Sequence, residues 1–163
     1  MEFQTTSIPG LLIVKPQIYQ DERGFFMETY QAEQFAAAGI STHFVQDNHS
    51  GSHLEVLRGL HYQIRQPQEK LVRVVAGEVF DVAVDLRHSS STFGKWFGTI
   101  LSAQNRHQMW VPEGFAHGFY VLSDRAEIIY KTSDYYAPLW ERTLLWNDPS
   151  IGIEWPLLKQ PRL

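Results

Sequence analysis

The sequence predicts an all-β protein, an antiparallel jelly-roll sandwich or barrel with few short helices. Short apolar runs recur at fairly even spacing and are separated by Gly, Pro, Asn, Asp and Ser, which is typical of strands joined by turns. Only Gln31–Ala38 has the composition of a helix, and Gly39 follows it where a helix commonly ends. Because one short helix cannot supply the crossovers of a parallel sheet, we expect antiparallel strands.

Eleven segments are predicted to be strands, since each is a short apolar or β-branched run bounded by turn residues. They are Leu11–Tyr19, Phe25–Tyr30, Phe44–Asn48, Val56–Gln63, Leu71–Val75, Val79–Leu86, Trp96–Leu101, Gln108–Val111, Gly118–Leu122, Glu127–Thr132 and Thr143–Trp146. The alternation is clearest in Val79–Leu86, where the apolar even-numbered residues share one face. Asp81 and Asp85 fall on the other face of that strand.

Length and composition limit the classes of protein that the chain can represent. Its 163 residues predict one domain, residues 1–163, and 44% hydrophobic with 20% charged residues is typical of a folded globular domain. A net charge of −4 argues against non-specific nucleic-acid binding, which needs a basic surface. The absence of cysteine excludes disulfides, Cys-ligated zinc and thiol nucleophiles.

No targeting or membrane segment is visible in the sequence. The N-terminal residues lack the basic stretch and sustained apolar run of a signal peptide, and no segment approaches the roughly 18 apolar residues of a membrane span. We therefore expect a cytoplasmic protein that does not bind a membrane. Aromatic residues make up 13% of the chain, which favours a ligand cleft or a subunit interface.

The seven histidines raise the question of a metal site. Two histidine ligands on one strand would stand two residues apart, because such residues share a face. The alternate neighbour of His61 is Gln63, a poor ligand for a divalent ion, and adding His117 and Glu69 leaves an incomplete shell. We expect no bound metal.

A metal-free site is the better interpretation of these residues. His61 has the proton affinity of a general base at neutral pH, and Tyr130 is a candidate acid. Arg58 and Lys70 are cations that would stabilise an anion or a developing enolate. One base, one acid and fixed cations are what proton abstraction next to a carbonyl requires. Each of these residues alone also has an ordinary structural explanation, so their pattern indicates only a possible ligand site in an antiparallel barrel.

The spacing of Arg58 and His61 predicts a distortion in their strand. Residues three apart point to opposite faces of a regular strand, so these two cannot both line one pocket without an irregularity. Gly59 lies between them, and glycine within a strand often marks a β-bulge. We therefore expect a bulge at Gly59.

Several longer motifs occur in a recognisable order over nearly the whole chain. They are Asp21–Glu28, Gln46–Asn48, Leu57–His61, Lys70–Val72, Asp81–Arg87, Pro112–Phe119, Tyr130–Lys131, Glu141 and Trp146–Pro149. On these motifs the sequence resembles the dTDP-4-dehydrorhamnose 3,5-epimerase family of the cupin superfamily. The resemblance implies an isomerase that inverts C3 and C5 of dTDP-4-dehydro-6-deoxy-D-glucose to give dTDP-4-dehydro-L-rhamnose. It implies no cofactor, and a product used for cell-envelope glycans such as lipopolysaccharide.

The resemblance also implies roles for individual residues. His61 would remove the proton, Tyr130 would return one to the opposite face, and Lys70 would stabilise the enolate. Arg58 would hold the diphosphate, whereas His117 would contact the sugar. The remaining residues implied to bind nucleotide or sugar are Arg23, Glu28, Gln46, Asn48 and Glu141, with Tyr136 stacking on thymine. In the family the segment that carries Arg23 and Glu28 reaches a neighbouring subunit, which implies a homodimer with an exchanged N-terminal segment.

One family feature lies beyond this sequence. Family members typically continue past the Trp155–Pro156 region into a segment whose Asp orients the catalytic His, and this sequence stops at Leu163. Asp81 and Asp85 are the candidate substitutes for that Asp.

Three other functions are open at this point. One is a single-position epimerase, for C3 or C5, of the same fold. The second is a metal-dependent cupin enzyme, against which Gln63 counts. The third is a non-catalytic jelly roll that binds a nucleotide sugar.

Overall fold

A computed structural model describes residues 1–163 and contains thirteen strands and one helix. The strands are β1 (Glu2–Thr5), β2 (Leu12–Lys15), β3 (Ile18–Asp21), β4 (Gly24–Met27), β5 (Gln46–His53), β6 (Leu57–Gln63), β7 (Lys70–Ala76), β8 (Glu78–Asp85), β9 (Trp96–Ser102), β10 (Gln108–Val111), β11 (Phe115–Val121), β12 (Arg125–Thr132) and β13 (Glu141–Thr143). The helix, α1, spans Ala32–Ala37.

Eleven of the strands form two antiparallel sheets. The first sheet has six strands in the order β1-β2-β10-β7-β12-β5, and the second has five in the order β13-β6-β11-β8-β9. The other two strands, β3 and β4, pair with each other as a separate hairpin. The predicted all-β antiparallel class is confirmed.

The strands differ from the prediction mainly in three places. β1 was not predicted because its sequence has no apolar run; it is an edge strand that pairs only with β2. The predicted strand Leu11–Tyr19 is two strands, β2 and β3, separated at Pro16, whose missing N–H cannot continue a ladder. The last strand is Glu141–Thr143 instead of Thr143–Trp146.

The predicted helix is present with its expected ends. The side chain of Gln31 accepts a hydrogen bond from the Gln34 N–H at 2.6 Å, which satisfies one of the free donors at the helix start. Gly39 follows the C-cap with φ +85°, a conformation that glycine adopts easily. Phe35 is fully buried on the outer face of the first sheet, in a cluster with Val14 and Trp110.

The main core lies between the two sheets, and the outer faces of both sheets are also covered. Of its fifteen buried residues, Ile8 and Leu11 lie just before β2, and the others come from β2, β7, β10 and β12 of one sheet and from β8, β9 and β11 of the other. On the outer face of the second sheet, Val82 and Val84 belong to a cluster packed against Ile153 and Trp155. The alternation predicted for β8 is therefore confirmed, and Asp81 lies on the face that looks into the barrel. No helix in the structure has the length and apolar character needed to cross a membrane.

Candidate active site

A cavity of about 700 Å³ opens between the two sheets where the apolar core ends. Phe119 and Ile128 belong to both the core and the cavity wall, so the cavity is a continuation of the barrel interior. The first sheet contributes Gln46, Asn48, Lys70 and Tyr130, and the second contributes Arg58, His61, His117 and Glu141. With Tyr136 from the loop before β13, these are all the predicted site residues except Arg23 and Glu28.

The predicted bulge at Gly59 is confirmed and brings Arg58 and His61 to the same cavity. His117 of β11 pairs with His61, and Phe119 pairs with Arg58, so β6 has one residue more than its partner over this interval. Gly59 has φ +107°, and a Cβ there would lie 2.6 Å from the carbonyl oxygen of His117. Only glycine fits at this position.

His61 has Glu141 and Thr143 of β13 beside it. Its Nδ1 lies 3.4 Å from Oε1 of Glu141 and 3.3 Å from the hydroxyl of Thr143. The expectation that Asp81 or Asp85 substitutes as its carboxylate partner is wrong. β13 is the strand paired with the outer edge of β6, with Thr143 directly opposite His61, so its side chains reach the imidazole.

The two aspartates of β8 serve other partners. Asp81 lies 2.9 Å from Nε2 of His117, and both side chains are buried. Asp85 accepts hydrogen bonds from Arg87, Ser90 and Thr92, and these bonds hold the pKa of its carboxyl well below the usual range although burial opposes them.

The pairing of His117 with Asp81 fixes the imidazole ring. Because an ionised carboxylate only accepts hydrogen bonds, Nε2–H of His117 donates to Oδ1 of Asp81 and Nδ1 is left for another partner. The second oxygen, Oδ2 of Asp81, is buried and has no hydrogen-bond partner. The negative charge on Asp81 also favours the ammonium form of Lys70.

The proton affinity of His61 suits a base. Burial lowers the pKa of His61 below its usual 6.5, and the nearby charges of Lys70, His117 and Arg58 lower it further, whereas Glu141 opposes them. The imidazole is therefore mostly neutral at pH 7 and can accept a proton.

Burial has opposite consequences for the two groups on the facing wall. It lowers the pKa of Lys70 to about 8, although the charges of Asp81 and Glu141 favour the ammonium form. It raises the pKa of Tyr130, in the same direction as Glu141 and against Arg58. At neutral pH Lys70 is thus still mainly a cation and Tyr130 still holds its proton.

The guanidinium of Arg58 is oriented so that it can bind an anion in the cavity. Its Nε donates to the buried hydroxyl of Ser52 at 2.9 Å, which fixes the guanidinium and leaves its terminal N–H groups free. The hydroxyl of Tyr136 donates to Oε2 of Glu141 at 2.8 Å, and half of the Tyr136 surface is exposed beside the cavity. Its ring is therefore accessible to a planar ligand.

Gln63 has a structural importance that the sequence analysis missed. It is buried, and its amide makes three hydrogen bonds to backbone groups, including the N–H of Ala137 at 2.8 Å. In the sequence Gln63 stands out only as a poor metal ligand two residues from His61. No three His, Asp or Glu side chains converge as a metal site would require.

Arg23 and Glu28 do not reach the cavity of their own chain. Arg23 lies in the turn of the β3–β4 hairpin and forms an exposed ion pair with Asp21 at 2.6 Å. Glu28 follows the hairpin and accepts a weak hydrogen bond from Gln34 at 3.4 Å.

These features define a class of protein: a two-sheet β-barrel whose cavity brings an imidazole, a tyrosine hydroxyl and the cations Arg58 and Lys70 together. The family model described as dTDP-4-dehydrorhamnose 3,5-epimerase matches residues 5–163. The chain belongs to this family. The family and the isomerase class implied by the resemblance are thereby confirmed.

Individual relatives agree with the family model. A dTDP-4-dehydrorhamnose 3,5-epimerase of Neisseria gonorrhoeae is 58% identical over 163 residues, which are 100% of this chain and 50% of that protein. One of Pseudomonas aeruginosa is 56% identical over 164 residues, covering 100% of this chain and 91% of that protein. The chain thus spans half of the first relative and most of the second.

A solved structure has the same fold. The 3,5-epimerase of Legionella pneumophila Philadelphia 1, in complex with dTDP-4-keto-L-rhamnose, is 54% identical with a TM-score of 0.96. The match covers 99% of this chain and 86% of that one.

Proposed function

We propose that this protein epimerises dTDP-4-dehydro-6-deoxy-D-glucose at C3 and C5 to give dTDP-4-dehydro-L-rhamnose, without a cofactor. The observation that carries the proposal is the placement of a base and an acid on facing walls of one cavity. His61 belongs to the second sheet, whereas Lys70 and Tyr130 belong to the first. Family membership supports the choice of substrate.

The chemistry follows from the position of the ketone. C3 and C5 both adjoin the C4 carbonyl, so removing a proton from either carbon gives an enolate at the same oxygen. Neutral His61 takes the proton, and the Lys70 ammonium stabilises the enolate oxygen. Tyr130 donates its hydroxyl proton to the opposite face of the same carbon, which inverts it.

The proton count requires exchange with water. After one inversion His61 holds an extra proton and Tyr130 has lost one, so the net change in the substrate is zero but the enzyme is not yet reset. Solvent takes the proton from His61 and returns one to Tyr130. The inverted carbon therefore carries a hydrogen that came from the enzyme and, over repeated turnovers, from water.

The other cavity residues bind the substrate. Arg58 engages the diphosphate with its free N–H groups, which match phosphate oxygens in pairs. Tyr136 stacks on the thymine. His117 contacts the sugar, and the remaining binding residues are Gln46, Asn48 and Glu141.

We also propose that the protein is a homodimer with an exchanged N-terminal segment. The β3–β4 hairpin exposes Tyr19 and Phe26 by 60% and 65%, an apolar surface suited to a subunit contact. In a dimer the hairpin would bring Arg23 and Glu28 to the cavity of the neighbouring chain. We place the protein in the cytoplasm, as the sequence analysis expected.

The proposal is tested by incubating the protein with dTDP-4-dehydro-6-deoxy-D-glucose in D₂O and following the C3 and C5 protons by NMR. Deuterium at both carbons, with the product trapped as a rhamnose derivative by a reductase, is the expected result. Exchange at one carbon would instead identify a single-position epimerase. Saturable binding of dTDP without any exchange would identify a binding protein and contradict the proposal.

A further inference from the structure

The loop of residues 134–137 carries Tyr136 to the mouth of the cavity, and Gln63 holds the backbone at its centre. Nε2 of Gln63 donates to the carbonyl oxygens of Gln66 at 2.7 Å and of Tyr135 at 3.3 Å. Oε1 of Gln63 accepts from the N–H of Ala137 at 2.8 Å. The amide thus grips the backbone on both sides of Tyr136, and only 8% of Gln63 is exposed.

Two further glutamines also donate to or accept from the backbone of this loop. Nε2 of Gln68 donates to the carbonyl oxygen of Asp134 at 2.8 Å. Oε1 of Gln46 accepts from the N–H of Tyr136 itself at 3.2 Å. The side chains of Gln63, Gln68 and Gln46 are neutral amides, so these particular bonds to the loop do not change over the working pH range.

Gln63 connects this loop to β6, the strand that carries His61. It stands two residues after His61 on β6, and both residues line the cavity. The imidazole of His61 is open to the cavity, whereas the amide of Gln63 is covered by the loop. One strand therefore fixes both the base and the loop that bears Tyr136.

We infer that Gln63 is a positioning residue for nucleotide recognition. It fixes the 134–137 backbone so that the Tyr136 ring faces the thymine of the substrate. The inference rests on the proposed function, because Tyr136 is proposed there to stack on thymine. Without Gln63, two carbonyls and one N–H lose their partners, and the loop must be ordered when the ligand binds.

The test compares Gln63→Ala with the wild-type protein. We expect the Kd for dTDP and the KM for the nucleotide-sugar substrate to rise about tenfold, since ordering the loop opposes binding. The kcat for C3 and C5 exchange should stay within about twofold, because His61, Lys70 and Tyr130 are untouched. Gln104→Ala is the matched control: Gln104 is exposed in the turn between β9 and β10, and its loss should change neither quantity.

A double variant distinguishes positioning from general support of the fold. If Gln63 acts through Tyr136, adding Gln63→Ala to Tyr136→Ala should raise the Kd for dTDP by less than about twofold. The same tenfold effect in both backgrounds would overturn the inference, as would an unchanged Kd and KM in Gln63→Ala.

A last variant covers the case in which Gln63→Ala does not fold, judged by circular dichroism. Gln68→Ala removes one bond to the same loop and should raise KM by a smaller factor with the same kcat; an unchanged KM would overturn the inference. Failure of the proposed function is separately visible, since the wild-type protein would then not exchange protons at both C3 and C5, whatever its affinity for dTDP.

Discussion

The two walls of the cavity control their ionisable groups in different ways. On the second sheet each histidine has a carboxylate within reach, Glu141 for His61 at 3.4 Å and Asp81 for His117 at 2.9 Å. On the first sheet burial is the main influence on the pKa of Lys70 and of Tyr130, as it is for His61 on the second sheet, but neither Lys70 nor Tyr130 has a carboxylate in a salt bridge or hydrogen bond with it. Pairing orients a ring, whereas burial changes a proton affinity without fixing a partner. The proposed base lies on the sheet whose two cavity histidines are paired with carboxylates, whereas the proposed cation and acid lie on the sheet where burial acts without such a pair.

The largest effect is expected from removing the base. His61→Ala should abolish deuterium exchange at both C3 and C5, with a loss in rate of about 10²- to 10⁴-fold, because one base serves both carbons. The measurement is NMR-detected exchange in D₂O. His53→Ala is the control, since His53 is exposed at the far end of β5 and does not line the cavity. Near-full activity of folded His61→Ala would show that the base is another group.

The next largest effect is expected from removing Lys70, on the first sheet. Lys70→Met removes the cation that faces the enolate and should lower kcat by about 10²- to 10³-fold, as losing one oxyanion-stabilising group does in other enzymes. Lys131→Met is the control, because Lys131 pairs with Asp47 outside the cavity. Equal activity of the two variants would remove Lys70 from the mechanism.

The pH dependence of kcat/KM is expected to follow the protonation of His61 and of Lys70. In the proposed mechanism the rate requires neutral His61, whose pKa lies below its usual 6.5, so kcat/KM should rise with pH on the acid side of 6.5. It also requires charged Lys70, so kcat/KM should fall as pH rises through about 8. Steady-state rates between pH 5 and 10 measure both limbs. In Lys70→Met the residual rate should lose the fall near pH 8, and persistence of that fall would contradict the assignment.

The smallest effect is expected from Asp81 of the second sheet, whose charge raises the pKa of Lys70 on the first sheet. Asp81→Asn removes the negative charge that raises the pKa of Lys70, so the alkaline limb should move to lower pH by less than about one unit. The shift is read from the same steady-state profile. A limb that stays in place, or moves to higher pH, would show that Asp81 does not support the charge on Lys70.

Residue patterns within a strand predicted well. The alternation in β8 placed Asp81 away from the apolar face, and the three-residue spacing of Arg58 and His61 predicted the bulge at Gly59. Both follow from the two-residue period of a strand. The resemblance carried by the motifs predicted the family and the side chains that line the cavity, but it also named Arg23 and Glu28, which do not reach the cavity of their own chain.

Contacts between distant strands were harder to predict. The carboxylate beside His61 is Glu141 because β13 pairs with β6, a pairing that leaves no local pattern in either sequence. The role of Gln63 depends in the same way on a loop more than seventy residues further along the chain. β1 is an edge strand stabilised by its neighbour and not by its own composition.

The central claim is that base and acid act from opposite walls, and Tyr130→Phe in D₂O tests it most directly. With His61 intact and the acid removed, the substrate should still take up deuterium at C3 and C5 but keep its configuration, because His61 returns deuterium to the face it deprotonated. Inversion should fall by about 10²-fold or more relative to exchange. Equal losses of exchange and inversion, or unchanged inversion, would contradict the assignment of Tyr130 as the acid on the opposite wall.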